Sequence, residues 1–143
     1  MFDVFCTVAS VVSRYRDWLR QFERNMTSAL VNYREGLHEE ACYESHQAAE
    51  KALKGLLNYL HKERRGHSLL FLALEAGLEI PEEVRQCLLN LDKYYIPSRY
   101  PIVYDEGAPQ DYYTKSDAEE CISCTRRIIE WVLDHVKQSH REI

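Results

Sequence analysis

The fold can be predicted from residues 41–60, which read ACYESHQAAEKALKGLLNYL. Apolar and small residues recur there every three or four positions, the spacing that places them on one face of an α-helix. That face comprises Ala41, Ser45, Ala48, Ala49, Ala52, Leu53, Leu56, Leu57 and Leu60. We predict a helix over residues 37–62, a rod of about 39 Å at 1.5 Å per residue. Small side chains in its first half allow a neighbouring helix to approach closely, and leucines in its second half fill space.

The same periodicity extends along the chain on both sides of this helix. It predicts helices over residues 13–33, 67–76 and 80–95 and from residue 116 onward, with Gly36 at the end of the first. Ser116 and Glu119 have the spacing of a capping box at the start of the last helix. The predicted inner face of that helix comprises Ile122, Thr125, Ile129, Val132 and Val136.

Composition favours an all-helical domain. Five glycines and four prolines in 143 residues are too few for a β-sandwich or barrel, whose turns recur about every ten residues. Long helices joined by short connections pack most simply as an antiparallel bundle. The predicted fold class is therefore all-α, a four- or five-helix up-and-down antiparallel bundle. It forms a single domain over residues 1–143, with its core at about 13–137.

Charge and hydropathy argue against several classes of protein. The formal net charge is −5, so a general electrostatic DNA-binding protein is not expected, and any nucleic-acid site must be a local basic patch. No apolar run reaches about 18 residues, so we predict no membrane span and no membrane partner. The first six residues lack the basic segment of a secretory signal.

Five cysteines are an odd number without the spacing of a disulfide framework. Cys121 and Cys124 are the only pair with metal-like spacing, but they lie in a helical pattern and no second pair completes four ligands. Structural thiols are the favoured interpretation, and redox or metal chemistry is the alternative. We expect no metal site and no cofactor, and a reducing compartment, most simply the cytoplasm.

The segment 96–113 is the one long irregular stretch, and it is rich in tyrosine. Six of the ten tyrosines lie between Tyr94 and Tyr113, and Arg99 lies among them. Tyrosine can stack on a base or sugar, and arginine presents a planar fork to phosphate. A nucleotide or RNA contact is one interpretation. The other is that the tyrosines pack the loop onto the bundle while Arg99 bridges to a carboxylate.

The second helix carries a polar edge beside its apolar face. Along this edge lie Tyr43, His46, Glu50 and Lys54, with Gln47 and Lys51 just outside it. The edge either borders a cleft that binds a polar ligand or is a solvated flank with an ordinary Glu50–Lys54 ion pair. His67 stands at the predicted start of the short helix, where a cap or a buried hydrogen-bonded imidazole is favoured over catalysis.

Three stretches together resemble the HEPN domain, the higher eukaryote and prokaryote nucleotide-binding domain. They are residues 48–54 (AAEKALK), residues 66–70 (GHSLL) and residues 91–101 (LDKYYIPSRYP), and the resemblance runs in order from about residue 15 to residue 136. It implies a four- or five-helix up-and-down bundle, commonly a homodimer. Such domains are often encoded beside a minimal nucleotidyltransferase, as a toxin–antitoxin-like pair.

The resemblance also implies an activity. Active members are metal-independent ribonucleases in which an arginine is followed, after four to six residues, by a histidine. The arginine would stabilise phosphate charge, and the histidine would assist proton transfer as the ribose 2′-hydroxyl attacks. Here Arg99 matches by position, but Tyr104 follows it after four residues, and tyrosine is a poor base at neutral pH. In some family pairs the nucleotidyltransferase adds AMP to a tyrosine near this motif, which makes Tyr104 the candidate acceptor.

Three functions follow, in order of preference. The first is a dimeric protein that binds nucleotide or RNA through a site comprising Arg99, Tyr104, Lys51, Lys54, Tyr95 and Tyr100, with Arg99 and Tyr104 in the positions of the catalytic motif. The second is a nuclease-inactive interaction module, in which the small-residue face of the second helix forms a dimer and the tyrosines cover a protein partner. The third is a metal-independent ribonuclease toxin that uses Arg99.

Overall fold

The computed structural model describes the backbone of residues 2–142 and the side chains of residues 14–136. Within them the chain forms helices α1 (Phe2–Arg34), α2 (His38–Tyr59), α3 (Leu69–Glu75), α4 (Glu82–Tyr95), α5 (Pro109–Tyr112) and α6 (Lys115–Glu142). A 3-10 turn over Pro101–Val103 lies between α4 and α5. No strand forms among the described residues, and the predicted all-α bundle is confirmed.

Helix α2 lies at the centre of the bundle and contacts each of the other five helices. The turn from α1 to α2 is short because the amides of Gly36 and Leu37 donate back to the carbonyls of Tyr33 and Asn32. Gly36 has a φ of 77°, the left-handed conformation that ends many helices and that glycine adopts without strain. This turn makes α1 and α2 antiparallel neighbours.

The small-residue face of α2 is buried, as its sequence predicts. Ala41, Ala48 and Ala49 have no exposed surface, and leucines fill the core further along the helix. Gly55 allows the closest approach to α1, since a Cβ at this position would lie 2.9 Å from the Cβ of Trp18. The position therefore has room for glycine alone unless α1 moves.

Two helix starts differ from the periodicity. The pattern begins at about residue 13 and assigns no structure to residues 1–12, which leaves extension of the first helix open; helix α1 begins at Phe2, and residues 2–12 contain no glycine or proline to stop it. Ser116 and Glu119 do not cap α6: the Thr114 hydroxyl accepts from the amide of Asp117 at 3.1 Å, and the Asp117 carboxylate accepts from the amide of Thr114 at 2.8 Å. This is the reciprocal pattern of a capping box, two residues earlier than predicted.

The inner face of α6 differs from the prediction at one position. Ile128 is fully buried and Ile129 only partly, whereas Ile122, Thr125, Val132 and Val136 are buried as predicted. The helix is held to α2 by Thr125, whose hydroxyl donates to the carbonyl of Ser45 at 2.9 Å. In the part of the chain that the structure describes, no helix is long and apolar enough to cross a membrane.

Candidate functional site

Arg99 lies among three tyrosine rings just beyond the end of α4. Its guanidinium carbon is 4.8 Å from the ring centroid of Tyr43, 5.1 Å from that of Tyr100 and 5.8 Å from that of Tyr95. Nη1 donates a hydrogen bond to the Tyr95 hydroxyl at 3.2 Å. The side chain is exposed and makes no ion pair with a carboxylate within the described residues. The predicted carboxylate bridge to Arg99 is therefore wrong.

Helix α4 is followed by a turn over residues 96–99, which hydrogen bonds of Ser98 close. Ser98 is buried, its amide donates to the carbonyl of Tyr94, and its hydroxyl donates to the carbonyl of Tyr95 at 2.8 Å. These bonds satisfy carbonyls that the helix end would leave unpaired. They fix the backbone from which Arg99 and Tyr100 project.

Tyr95 connects Arg99 to two histidines that are distant in sequence. Its ring stacks on His46 of α2 with centroids 4.2 Å apart, and the ring of His67 lies 5.5 Å away. Tyr43 also stacks on Tyr95, at 6.1 Å. The predicted polar edge of α2 therefore borders the Arg99 site, and its Tyr43 and His46 are part of that site.

Glu50 is a buried carboxylate with three basic neighbours. It is only 1% exposed, and its oxygens lie 2.9 Å from Nδ1 of His67, 3.0 Å from Nζ of Lys54 and 3.8 Å from Nζ of Lys51. Burial acts to raise the pKa of Glu50, but hydrogen bonds from His67 and Lys54 outweigh it, so the pKa lies below its ordinary value. Glu50 is thus ionised at neutral pH, and this part of the edge is not a solvated flank.

Asp92 of α4 positions the segment that carries His67. Its carboxylate accepts hydrogen bonds from the amides of Leu69 and Leu70 at 2.9 and 3.2 Å and from the Ser68 hydroxyl at 3.2 Å. Its Oδ1 lies 3.2 Å from Nε2 of the buried His46. Burial acts to raise the pKa of Asp92, yet these hydrogen bonds hold it below its ordinary value. A single carboxylate therefore joins α2, the start of α3 and α4.

His67 is neither the cap of α3 nor a buried side chain, so both of the roles favoured for it are wrong. The cap is Ser68, whose hydroxyl accepts from the amide of Phe71. The His67 side chain is 60% exposed, although its Nδ1 is bound to Glu50. The imidazole is therefore accessible to solvent beside Tyr95.

A basic cavity of about 220 Å³ lies next to this cluster. Lys54 lines it together with Arg64, Arg65 and Trp18. Lys54 therefore forms an ion pair with the Glu50 carboxylate and also lines the cavity. Although the whole chain is acidic, Lys54 and the two arginines outnumber the one acidic residue of this lining, Glu63, so the cavity is locally basic, as a phosphate-binding patch requires.

Tyr104 belongs to a different cluster from Arg99. Its ring stacks on Tyr112 at 3.9 Å with the planes 3° apart, and it lines a cavity of about 280 Å³ with Lys93 and Asp117. Burial raises the pKa of Tyr104 above its ordinary 10, so the hydroxyl stays protonated at neutral pH. The 3-10 turn at Pro101–Val103 lies between Arg99 and Tyr104, and the two side chains contact different residues.

Another cavity, of about 570 Å³, lies between α1 and α6. Arginine and glutamate side chains, among them Arg34, Arg126 and Glu130, line it. None of the residues predicted for the site lines this cavity. In the described residues, no three His, Cys, Asp or Glu side chains are placed to hold a metal ion.

The structure thus brings together most of the residues that the sequence singled out. Tyr95, Tyr100 and Arg99 are in contact, and Lys51 and Lys54 flank Glu50 nearby. Sequence reasoning missed His67 and Asp92 as members of the site. Both lie in the stretches 66–70 and 91–101 that carry the family resemblance, which was the available signal.

Comparison with known proteins gives consistent matches over most of the chain. The HEPN domain model matches residues 15–136. A candidate toxin of Methanocaldococcus jannaschii is 27% identical over 134 residues, which cover 86% of this chain and 88% of that protein.

Solved structures resemble the chain in fold as well as in sequence. A Thermus thermophilus protein has a TM-score of 0.81 and 36% identity, and an archaeal HEPN homologue has a TM-score of 0.74 and 47% identity. In both cases 85% of this chain and 97% of the other are covered. A HEPN domain protein of Thermotoga maritima has a TM-score of 0.69 and 26% identity, over 85% of this chain and 98% of that one.

Proposed function

The chain belongs to the HEPN domain family, and from this premise we propose that it is a toxin-like protein that binds a nucleotide or RNA at Arg99. The observation that carries the proposal is the environment of the Arg99 guanidinium. It is exposed and held between tyrosine rings, and among the described residues it forms no ion pair, although the charge of Glu40 interacts with it. A planar guanidinium held in this way is preorganised for a phosphate, and the tyrosines offer faces on which a base can stack.

The basic residues beside the site favour a ligand that carries several phosphates in a row. Lys54, Arg64 and Arg65 line the adjacent cavity, so successive phosphates of a strand would find positive charge there. Lys51 lies on the same side, next to Glu50. We therefore favour single-stranded RNA over a mononucleotide, and the two differ in whether affinity depends on Arg64 and Arg65.

We propose further that the protein is a homodimer whose interface includes the loop after Arg99. This loop exposes three large apolar side chains, Tyr100, Ile102 and Val103, and Ile96 at the end of α4 is exposed as well. Ile102 is 90% exposed and contributes nothing to the core of one chain. Several large apolar side chains exposed on one short segment are typical of an interaction surface. A second copy on this surface would bring its own Arg99 close to the first, as the family pattern expects.

The family resemblance supports a cytoplasmic minimal nucleotidyltransferase as the partner of this dimer. Tyr104 is the proposed acceptor of AMP from that partner, in a reaction that joins the phenol oxygen to the AMP phosphorus and releases pyrophosphate from ATP. Incubation with a purified nucleotidyltransferase, ATP and magnesium, followed by mass spectrometry of wild type and Tyr104→Phe, tests this step. AMP on wild type alone supports it, and AMP on both variants assigns another acceptor.

Binding at Arg99 is tested by fluorescence anisotropy with a short labelled single-stranded RNA, with ATP and GTP as competitors. Arg99→Ala should abolish binding, and Arg99→Lys should weaken it, because lysine keeps the charge and loses the planar fork. Arg85→Ala, which removes an exposed arginine from the first turn of α4, is the matched control and should bind as wild type does. If Arg99→Ala binds normally, or if it unfolds while Arg85→Ala does not, the proposal is wrong.

A further inference from the structure

We propose that Phe71 and Arg64 form a second binding subsite, at which a base of the RNA strand stacks at a distance from the Arg99 site. This inference rests on the proposed binding of RNA at Arg99, and it names the surface that the far end of the strand occupies. It starts from one contact: the guanidinium carbon of Arg64 lies over the Phe71 ring, 5.5 Å from the ring centroid.

The Phe71 ring is not required for packing. Helix α3 buries an apolar face made of Leu69, Leu72 and Ala73, whereas Phe71 is 53% exposed and lies outside the core of the described residues. The exposed ring and the guanidinium beside it are therefore available to a flat ligand. Aromatic rings and arginine planes are the two surfaces on which unpaired RNA bases stack in proteins.

The backbone that carries Phe71 is fixed before any ligand binds. The Ser68 hydroxyl accepts a hydrogen bond from the amide of Phe71 at 3.3 Å. The Asp92 carboxylate accepts from the amides of Leu69 and Leu70, so the first turn of α3 is held to α4. A stacking surface that is already ordered loses little conformational entropy when a base binds to it.

The loop that carries Arg64 is held as well. Lys62 lies two residues before Arg64, and its Nζ donates to the carbonyls of Glu75 and Ala76 at 3.2 and 3.1 Å. These carbonyls lie at the carboxyl end of α3, where a cation is favourable. The Lys62 amide donates to the carbonyl of Leu57 in α2 at 2.7 Å. The loop is thus tied to both helices, which keeps Arg64 beside the Phe71 ring.

A series of contacts connects this subsite to the Arg99 site. Arg64 and Lys54 line the same cavity. Lys54 and His67 bind the same buried carboxylate, and the His67 ring lies 5.5 Å from the Tyr95 ring of the Arg99 site. A strand that leaves Arg99 along these residues meets the basic cavity first and Phe71 after it. Positive charge between two stacking surfaces is the arrangement of a single-strand binding groove.

The charge of the subsite favours a nucleic acid over an apolar protein surface. Leu74, one turn beyond Phe71, is 48% exposed, so a protein that covers α3 is the alternative occupant. An apolar partner would strip water from the Arg64 guanidinium without replacing its hydrogen bonds, which is costly. A nucleotide avoids this cost, because its base stacks on the ring while its phosphate binds the guanidinium.

The test is fluorescence anisotropy of the full chain with labelled oligouridine strands of about four and about twelve nucleotides, within the range that single-strand sites span. Phe71→Ala should weaken binding of the longer strand about fivefold or more. It should leave the shorter strand, which occupies the Arg99 site alone, unaffected. Phe71→Leu keeps the apolar bulk and loses the ring, so it should behave as Phe71→Ala does, whereas Phe71→Trp should bind at least as tightly as wild type.

Salt dependence separates the roles of the two residues. Arg64→Ala should reduce the slope of log affinity against log salt by about 0.7, because one phosphate contact is lost. Phe71→Ala should lower the affinity and leave this slope unchanged, because stacking releases no counterions. Leu74→Ala is the matched control, an equally exposed apolar residue of the same helix, and should bind both strands as wild type does. Melting temperatures of the Phe71 and Leu74 variants should stay close to that of wild type.

The outcomes distinguish this inference from the function on which it rests. If the longer strand depends on Arg99 for binding but Phe71→Ala and Phe71→Leu bind it as tightly as wild type, the second subsite is wrong and the proposed function stands. If Leu74→Ala weakens binding as much as Phe71→Ala, the surface of α3 acts through apolar burial, and the stacking role of Phe71 is wrong. If wild type binds neither strand, the proposed function fails together with the inference.

Discussion

His67 and Glu50 are 17 residues apart in sequence, and their side chains meet at 2.9 Å. The contact exists because α2 presents Glu50 on its buried side while Asp92 of α4 holds the residues that follow His67. The loop from α2 to α3 is thus pinned at its end by a residue of a third helix. Its other neighbours, Lys54 and Tyr95, come from α2 and α4, so the site is assembled where three helices meet.

Asp92 should be the most important polar residue for stability in this region. Asp92→Ala removes an acceptor from two amides, a hydroxyl and His46, and leaves the amides at the start of α3 without a partner. We expect a loss of about 2–4 kcal/mol in the free energy of unfolding, measured by urea denaturation. Asp105→Ala, at an exposed loop position, should change it by less than about 0.5 kcal/mol. Equal effects of the two substitutions would show that Asp92 does not hold the helices together.

Stability should fall in acid because two carboxylates have lowered pKa values in the folded state. The ordinary values are 4.5 for Glu50 and 3.8 for Asp92, and both lie lower when the chain is folded. As pH falls through these values, the unfolded chain binds protons first, so the stabilisation present above about pH 4.5 is progressively lost. Urea midpoints measured from pH 6 down to about pH 3 should show this decline. Glu50→Gln with Asp92→Asn should flatten it, and an unchanged slope in that double variant would assign the acid sensitivity to other groups.

The helices could be predicted from sequence because each long one carries its own apolar period. The face of α2 is the clearest case: eight of its nine predicted positions are buried, and Leu60 at its end is partly so. The start of α6 could not be predicted, because Thr114 with Asp117 and Ser116 with Glu119 have the same spacing. In the structure Asp117 forms the capping box with Thr114, and its carboxylate also accepts a hydrogen bond from the Tyr94 hydroxyl at 2.9 Å.

The site could be predicted only in part, for the same physical reason. Arg99 and its tyrosines are close in sequence, and local composition indicated them. The contacts of His67 with Glu50 and of Asp92 with His46 join different helices, and no local pattern specifies such a pair. Nor does spacing reveal that a 3-10 turn separates Tyr104 from Arg99 within one chain. A fixed interval along the sequence indicates neighbours only where the backbone is regular.

The four described cysteines should be inert in the folded protein. Cys42, Cys87, Cys121 and Cys124 are buried and free. Burial and the neighbouring Cys87 raise the pKa of Cys124 to about 12, and a hydrogen bond with Cys42, together with burial, raises that of Cys121. In a Cys6→Ser variant, Ellman's reagent should detect no thiol in native protein and four in concentrated guanidinium.

A different count in that titration would change the interpretation of these thiols. The sulfurs of Cys42 and Cys121 are 2.7 Å apart. Two thiols rather than four in denaturant, restored to four by a reductant, would show that this pair had become a disulfide. Rapid reaction of native protein would show that a thiol is accessible, against its burial.

Gly55→Ala should destabilise the bundle even though alanine is the better helix former. The new Cβ would lie 2.9 Å from the Cβ of Trp18, an atom fixed to the α1 backbone, so the helices must move apart. We expect a net loss of about 1–3 kcal/mol from this overpacking, after any gain in helix propensity. Arg85→Ala at an exposed position of α4 is the control and should be nearly neutral. A more stable Gly55→Ala protein would mean that α1 and α2 approach less closely than described.

Ile102→Asp should convert the proposed dimer into a monomer without affecting the fold. Ile102 is 90% exposed and makes no contribution to the core, so a charge there costs nothing in an isolated chain. In a dimer built on this loop it would place an unpaired carboxylate in an apolar interface, which costs several kcal/mol. Light scattering after size exclusion should give twice the 16.9 kDa chain mass for wild type and one chain mass for the variant, with equal melting temperatures. Val31→Asp, at an exposed apolar position of α1, should remain dimeric. If the Val31→Asp variant dissociates instead, the interface lies on α1. A monomeric wild type would show that the Arg99 site needs no second copy of the chain.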